Sequence, residues 1–149
     1  MTPLITLSHA LSDVNLLGKP FQSPSFWTWK TVAKVIDGEP LREQRELDLF
    51  QESTGRSRLP TSPVRRLIVL VGRRGGKDRF MSAVAVWRAA LCADWHKHLS
   101  AGEQAVVLLL GADRKQAGIL RRPIGGAIAG RRGHAPHRRS YRISKWGLP

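Results

Sequence analysis

The residues best suited to chemistry are Val71-Gly72-Arg73-Arg74-Gly75-Gly76-Lys77-Asp78. A loop that holds the phosphates of a nucleotide needs backbone amides converging on the anion, with glycines where a β-carbon would block them. It also needs a lysine that reaches the outer phosphates. A helix must begin at once, so that its free amides and dipole face the charge. Gly72, Gly75 and Gly76 suit the first requirement, Lys77 the second, and the apolar-patterned stretch from Asp78 the third. Two positions depart from the pattern GxxxxGK[ST]. The first glycine falls one place late, at Gly72, and Asp78 stands where a hydroxyl residue would ligate Mg²⁺. A carboxylate also binds Mg²⁺, which makes Asp78 the candidate metal residue, yet it adds negative charge beside the phosphates. The plainer reading is a glycine-rich turn kept in solvent by its basic residues.

Elements of the right kind must flank such a loop. Residues 64–71 (VRRLIVLV) form a short apolar run bounded by turn residues, which predicts a strand buried on both faces. Residues 79–95 predict a helix with Phe80, Val84, Trp87, Leu91 and Trp95 facing inward. Ala105–Leu110 (AVVLLL) predicts a second buried strand, and Asp113 with Gln116 opens a third helix ending at Leu120. The order strand, loop, helix, strand, helix predicts an α/β fold, an incomplete P-loop NTPase with a parallel sheet built on a βαβ unit. Upstream, residues 25–37 predict an amphipathic helix capped by Ser25, with Phe26, Trp29, Val32, Ala33 and Ile36 on one face. Gly38 and Pro40 stop it, and 41–53 predict another helix before a turn-rich connector over 54–63. Residues 1–20 are weakly patterned. The expected organisation is a helical segment over 1–63, the phosphate-loop portion over 64–122 and a disordered basic tail over 123–149.

Composition narrows the partners. The net charge is +14, and it is uneven. Residues 1–120 hold 17 Lys/Arg against 11 Asp/Glu, and residues 121–149 hold 8 against none. Such a balance points to an anionic partner. The single cysteine, Cys92, excludes an intrachain disulfide and a cysteine-based zinc site, and suits a reducing, cytoplasmic setting. No apolar run reaches the ~20 residues that span a bilayer, and no signal peptide is expected. His96, His98, His134 and His137 lack the partners of a metal site. Trp27, Trp29, Trp87 and Trp95 fall at helical spacing, which favours core packing over base stacking.

The paired arginines of VGRRGGKD resemble the variant phosphate loop of phage terminase large subunits, the ATP-driven motors that package DNA. PFQSPSFWTWKTVAKVIDGEPL resembles the Trp-rich helix before that loop in one branch of the family, and DLFQESTGR continues the match. AVVLLLGADRKQA is similar to the family's next strand and helix. The resemblance covers about residues 14–122. It implies that ATP and Mg²⁺ are the ligands, with Lys77 on the β/γ-phosphates and Gly75 and Gly76 shaping the cradle. It further implies that Arg73 or Arg74 assists hydrolysis and that Gln22 contacts adenine. Double-stranded DNA, the small terminase subunit and the portal would be the partners, in a bacterial cytoplasm of phage or prophage origin.

Hydrolysis in that family needs an acidic pair after a later strand, one acid for Mg²⁺ and one to polarise water. No acid follows Asp113, and the carboxylates of a nuclease domain are missing, so the copy is expected to turn over poorly. Asp113 itself reads either as a helix cap or as the magnesium acid of a small P-loop kinase or transferase, the second function class. A third is a non-enzymatic basic nucleic-acid binder, for which the arginine pairs 121/122, 131/132 and 138/139 are suited. The abrupt loss of acids and of apolar pattern after Arg122 also fits a shifted reading frame in a prophage remnant. Translation of the downstream DNA in the other two frames checks this: one frame is expected to resume with an apolar run ending in acids.

Overall fold

The computed structural model describes residues 3–93, 95–100, 103 and 106. Four α-helices carry the architecture: α1 (Leu7–Ser12), α2 (Trp27–Asp37), α3 (Gln44–Thr54) and α4 (Lys77–Ala90). Short 3₁₀ turns lie at Lys19–Phe21, Pro24–Phe26 and Trp95–His98. The helix expected from Ser25 opens as the 3₁₀ turn Pro24–Phe26 and becomes α-helical at Trp27. Gly38 ends α2 in the left-handed conformation, φ +72°. A β-carbon there would lie 2.5 Å from the backbone of Ser62, so the chain's close return also requires glycine.

One core joins α1, α2 and α4. Leu7, Ala10 and Leu11 of α1 are fully buried against Trp29 and Ala33 of α2 and Phe80, Ala83, Val86 and Trp87 of α4. Phe26, Val32 and Ile36 pack on it from its edge. The weakly patterned N-terminus therefore supplies a whole face of the core. Its short helix is held by groups far along the chain. The Asp37 carboxylate accepts from the amides of Leu7 (3.1 Å) and Ser8 (2.7 Å), and Thr6 caps the same end. These are the donors that a helix start leaves unpaired. Ser8 Oγ donates to Glu39 (2.7 Å). At the far end of α4, Trp87 Nε1 donates to Ile5 O (2.7 Å), and Leu4 N donates to Cys92 O (2.9 Å).

The expected parallel sheet is overturned. No strand occurs among the described residues, and the architecture there is helical. Residues 64–71 form no ladder. Leu67 and Val69 are 46% and 43% exposed, whereas Ile68 and Leu70 are 90% and 96% exposed. An apolar run specifies a strand only where neighbouring strands accept its amides and cover its faces. Here the core closes through helix–helix contacts, and no neighbouring strand occurs among the described residues. The second expected strand, Ala105–Leu110, lies outside the described residues apart from Val106, which is 81% exposed. The helix expected at 113–120 and the tail 123–149 lie outside them as well. Among the described residues no helix is long and apolar enough to cross a membrane.

Glu46 locks α3 to α2. It is 5% exposed and accepts from Lys34 Nζ at 2.5 Å. It also reaches back to the amides of Arg42 and Glu43, completing a reciprocal capping box with Glu43. Burial pushes its pKa up, but Lys34 and the two amides outweigh burial and leave it below 4.5. Asp37 runs the other way: desolvation, aided by Glu39, outweighs its two amide bonds and raises its pKa. The signs follow by linkage. Glu46 contributes stability above its unfolded pKa and loses it as pH falls through the lowered folded value. Asp37 contributes most in its protonated form, and that contribution is lost as pH rises through its raised value. Glu46→Gln is expected to cost about 1–3 kcal/mol at neutral pH. Urea unfolding should show the gap between the two proteins narrowing below about pH 4.

Candidate phosphate-binding site

Gly76 is the N-cap of α4 and adopts φ +78°, ψ +5°, and Lys77 beyond it is helical. A left-handed residue followed by a right-handed one turns successive amides towards a common point, the geometry of an anion-binding concavity. Gly76 has no side chain to cap the helix, so the first-turn amides of Lys77, Asp78 and Arg79 have no intrahelical acceptor. The amide of Phe80 is the first to find one, at Gly76 O (3.1 Å). Arg74 is left-handed too, φ +63°, the single non-glycine residue so placed among those described. Gly75 N donates weakly to Gly72 O at 3.4 Å.

The loop is fastened from α2. Trp29 Nε1 donates to Gly75 O at 2.8 Å, and the Trp29 ring stacks on Phe80, centroids 4.4 Å apart and planes at 24°. All peptide bonds of the described chain are trans. With its carbonyl held towards Trp29, the Gly75–Gly76 peptide directs the Gly76 N–H to the opposite side. The close fit also fixes residue types. A β-carbon on Gly75 would lie 2.4 Å from Val71 Cγ1, and one on Gly76 would lie 3.1 Å from Trp29 Nε1 and 3.3 Å from Phe26 Cε1. Gly72 has open space around it.

A pocket of about 300 Å³ opens beside this fastening, lined by Ser25, Phe26, Thr28, Trp29, Arg74, Gly75 and Gly76. The structure thus gathers Arg74, Gly75 and Gly76 in one place, with Lys77 and Asp78 adjoining on the first turn of α4. Lys77 and Asp78 are half exposed, their charges 3.9 Å apart at Nζ and Oδ1. Arg73 and Gly72 are exposed beside them. Gln22 does not join the pocket: its Nε2 donates to Gly18 O (3.0 Å), closing the 3₁₀ turn. No group of three potential metal ligands occurs among the described residues. Asp78 is the carboxylate adjoining the loop, where as a first-turn acid it also favours the helix dipole. Asp113 lies outside the described residues.

Two residues of the site escaped sequence reasoning. Trp29 was expected in the core, where it is, but its indole N–H also holds the loop. The available signal was the donor that every buried tryptophan must satisfy. Arg79 sits at the third position of α4, where a cation opposes the dipole. It donates from its guanidinium to Pro20 O (3.2 Å) and lies 5.3 Å from the Phe26 ring centroid, tying the Lys19–Phe21 turn to the start of α4. No protein-family model, curated protein or solved structure matches the chain.

Trp29→Phe keeps the stacked ring and removes the donor to Gly75 O. The expected cost is about 1 kcal/mol of stability. Denaturant unfolding measures it, and an unchanged midpoint would show that the bond carries no stability.

Proposed function

We propose that the loop Gly72–Asp78 binds the phosphates of ATP with Mg²⁺, and that the chain is the nucleotide-binding part of a terminase-like DNA-packaging ATPase. The observation that carries the reading is the Trp29–Gly75 bond, which holds a left-handed Gly76 over three uncapped amides at the start of α4. Such amides with the helix dipole behind them favour an oxyanion. Lys77 extends from the first helical position, half exposed and able to reach the outer phosphates. Arg73 and Arg74 add charge on the loop side.

Within this reading the residues divide the work. Gly75 and Gly76 give the backbone its close approach, and Lys77 neutralises the β/γ-phosphates. Arg73 or Arg74 faces the γ-phosphate, and Asp78 supplies a carboxylate to Mg²⁺. Mg²⁺, when bound, would offset the phosphate charge. Double-stranded DNA and the small-subunit and portal proteins are the partners this reading implies. The exposed arginines of the connector and loop suit the DNA backbone.

Calorimetric titration with Mg-ATP tests the site. Saturable binding is expected, with Lys77→Ala weakening it by about tenfold or more, equivalent to ~1.4 kcal/mol. Affinity that is absent, or indifferent to the substitution, refutes the reading.

A further inference from the structure

Arg79 stands where local helix chemistry disfavours it. It is the third residue of α4, and a cation there opposes the helix dipole. It makes no ion pair among the described residues. Its guanidinium instead spans two groups from elsewhere in the chain. It donates to Pro20 O at 3.2 Å and lies over the Phe26 ring, 5.3 Å from the centroid. Pro20 belongs to an anchored turn. Phe21 N (2.8 Å) and Gln22 Nε2 (3.0 Å) both donate to Gly18 O, Gly18 N donates to Asp13 O (2.9 Å), and Phe21 is buried. The carbonyl that receives Arg79 is therefore held in place.

Phe26 connects this anchor to the loop. Its ring meets Phe21 edge-on, centroids 5.1 Å apart and planes at 74°. It lines the pocket beside Gly75 and Gly76, and its Cε1 would lie 3.3 Å from a β-carbon on Gly76. Gly76 and Arg79 are joined through the first turn of α4, and each meets the same ring. Lys77 and Asp78, between them, are exposed. A glycine leads into this turn, so the turn's direction depends on what its side chains hold. We infer that Arg79 is a positioning residue for the phosphate site: seated on Pro20 O, it keeps Phe26 against Gly76 and so keeps the uncapped amides of α4 in their binding geometry. The inference rests on the phosphate-binding reading of the loop.

A double-mutant cycle tests it, with Arg79→Met and Phe26→Leu made singly and together in the full chain, and circular dichroism confirming the helices of each. Each single substitution is expected to weaken Mg-ATP about fivefold in calorimetric titration, and the pair no more than either alone. Additive losses would mean that Arg79 acts by its charge and not through Phe26, and they overturn the inference. Wild-type affinity in Arg79→Met overturns it as well. Hydrogen exchange without ligand separates this outcome from that of the phosphate reading. The Phe80 amide donates to Gly76 O. It should exchange about fivefold faster in both single variants, while amides later in α4 keep wild-type rates. Absence of Mg-ATP binding to the wild type refutes the phosphate reading. Unchanged Phe80 exchange, or equal acceleration along all of α4, refutes the role of Arg79 whichever way the nucleotide behaves.

Discussion

The indole of Trp29 belongs to two environments at once. Its ring lies flat on Phe80 in the core, and its N–H ends on the carbonyl of Gly75 at 2.8 Å. A buried indole N–H without an acceptor is costly, so the core and the loop cannot be arranged independently. The placement of α4 follows from the stacking, and the orientation of the Gly75–Gly76 peptide follows from the bond. Phe26 Cε1 would lie 3.3 Å from a β-carbon on Gly76, a tight fit added to the left-handed φ of +78° that already favours glycine there. Gly76 is therefore constrained by packing from the start of α2, and Gly75 by Val71.

Holding that loop concentrates positive charge at a helix start, where the dipole is already positive. Lys77 and Arg79 lie in the first turn, and Arg73 and Arg74 lie just before it. Asp78 offsets only part of this. Arg79 is accommodated by turning away, onto Pro20 O and the face of Phe26. Lys77, Arg73 and Arg74 remain in solvent, where they cost little and stay available to an anion. The arrangement is tolerable in water, where solvent screens the like charges.

Local pattern exposed what depends on local residues. The faces of α2 and α4 were legible because Trp29 and Ala33, and Phe80 and Trp87, recur at helical spacing. The left-handed stop at Gly38 was legible because glycine takes that conformation without a β-carbon clash, whereas Gly55, at the edge of a turn-rich connector, was not singled out. What depends on distant partners was not. Helix α1 has six residues, too few to stand alone, and is held by Asp37 some thirty positions away. The bond from Gln22 Nε2 to Gly18 O, which holds that side chain in its own turn, was not legible either. Trp29 was read for its ring and not for its donor.

The run at 64–71 marks the limit most clearly. Its residue types are those of a buried strand, and nothing in the run itself distinguishes a strand that is covered from one that is not. Burial is a property of neighbours. In this chain the helices satisfy one another: α1 covers α2 and α4, and at the far end of α4 Trp87 donates to Ile5 O while Leu4 N donates to Cys92 O. Ile68 and Leu70 are left almost bare among the described residues. Their hydrophobic surface cannot then be a contribution to the stability of the described fold.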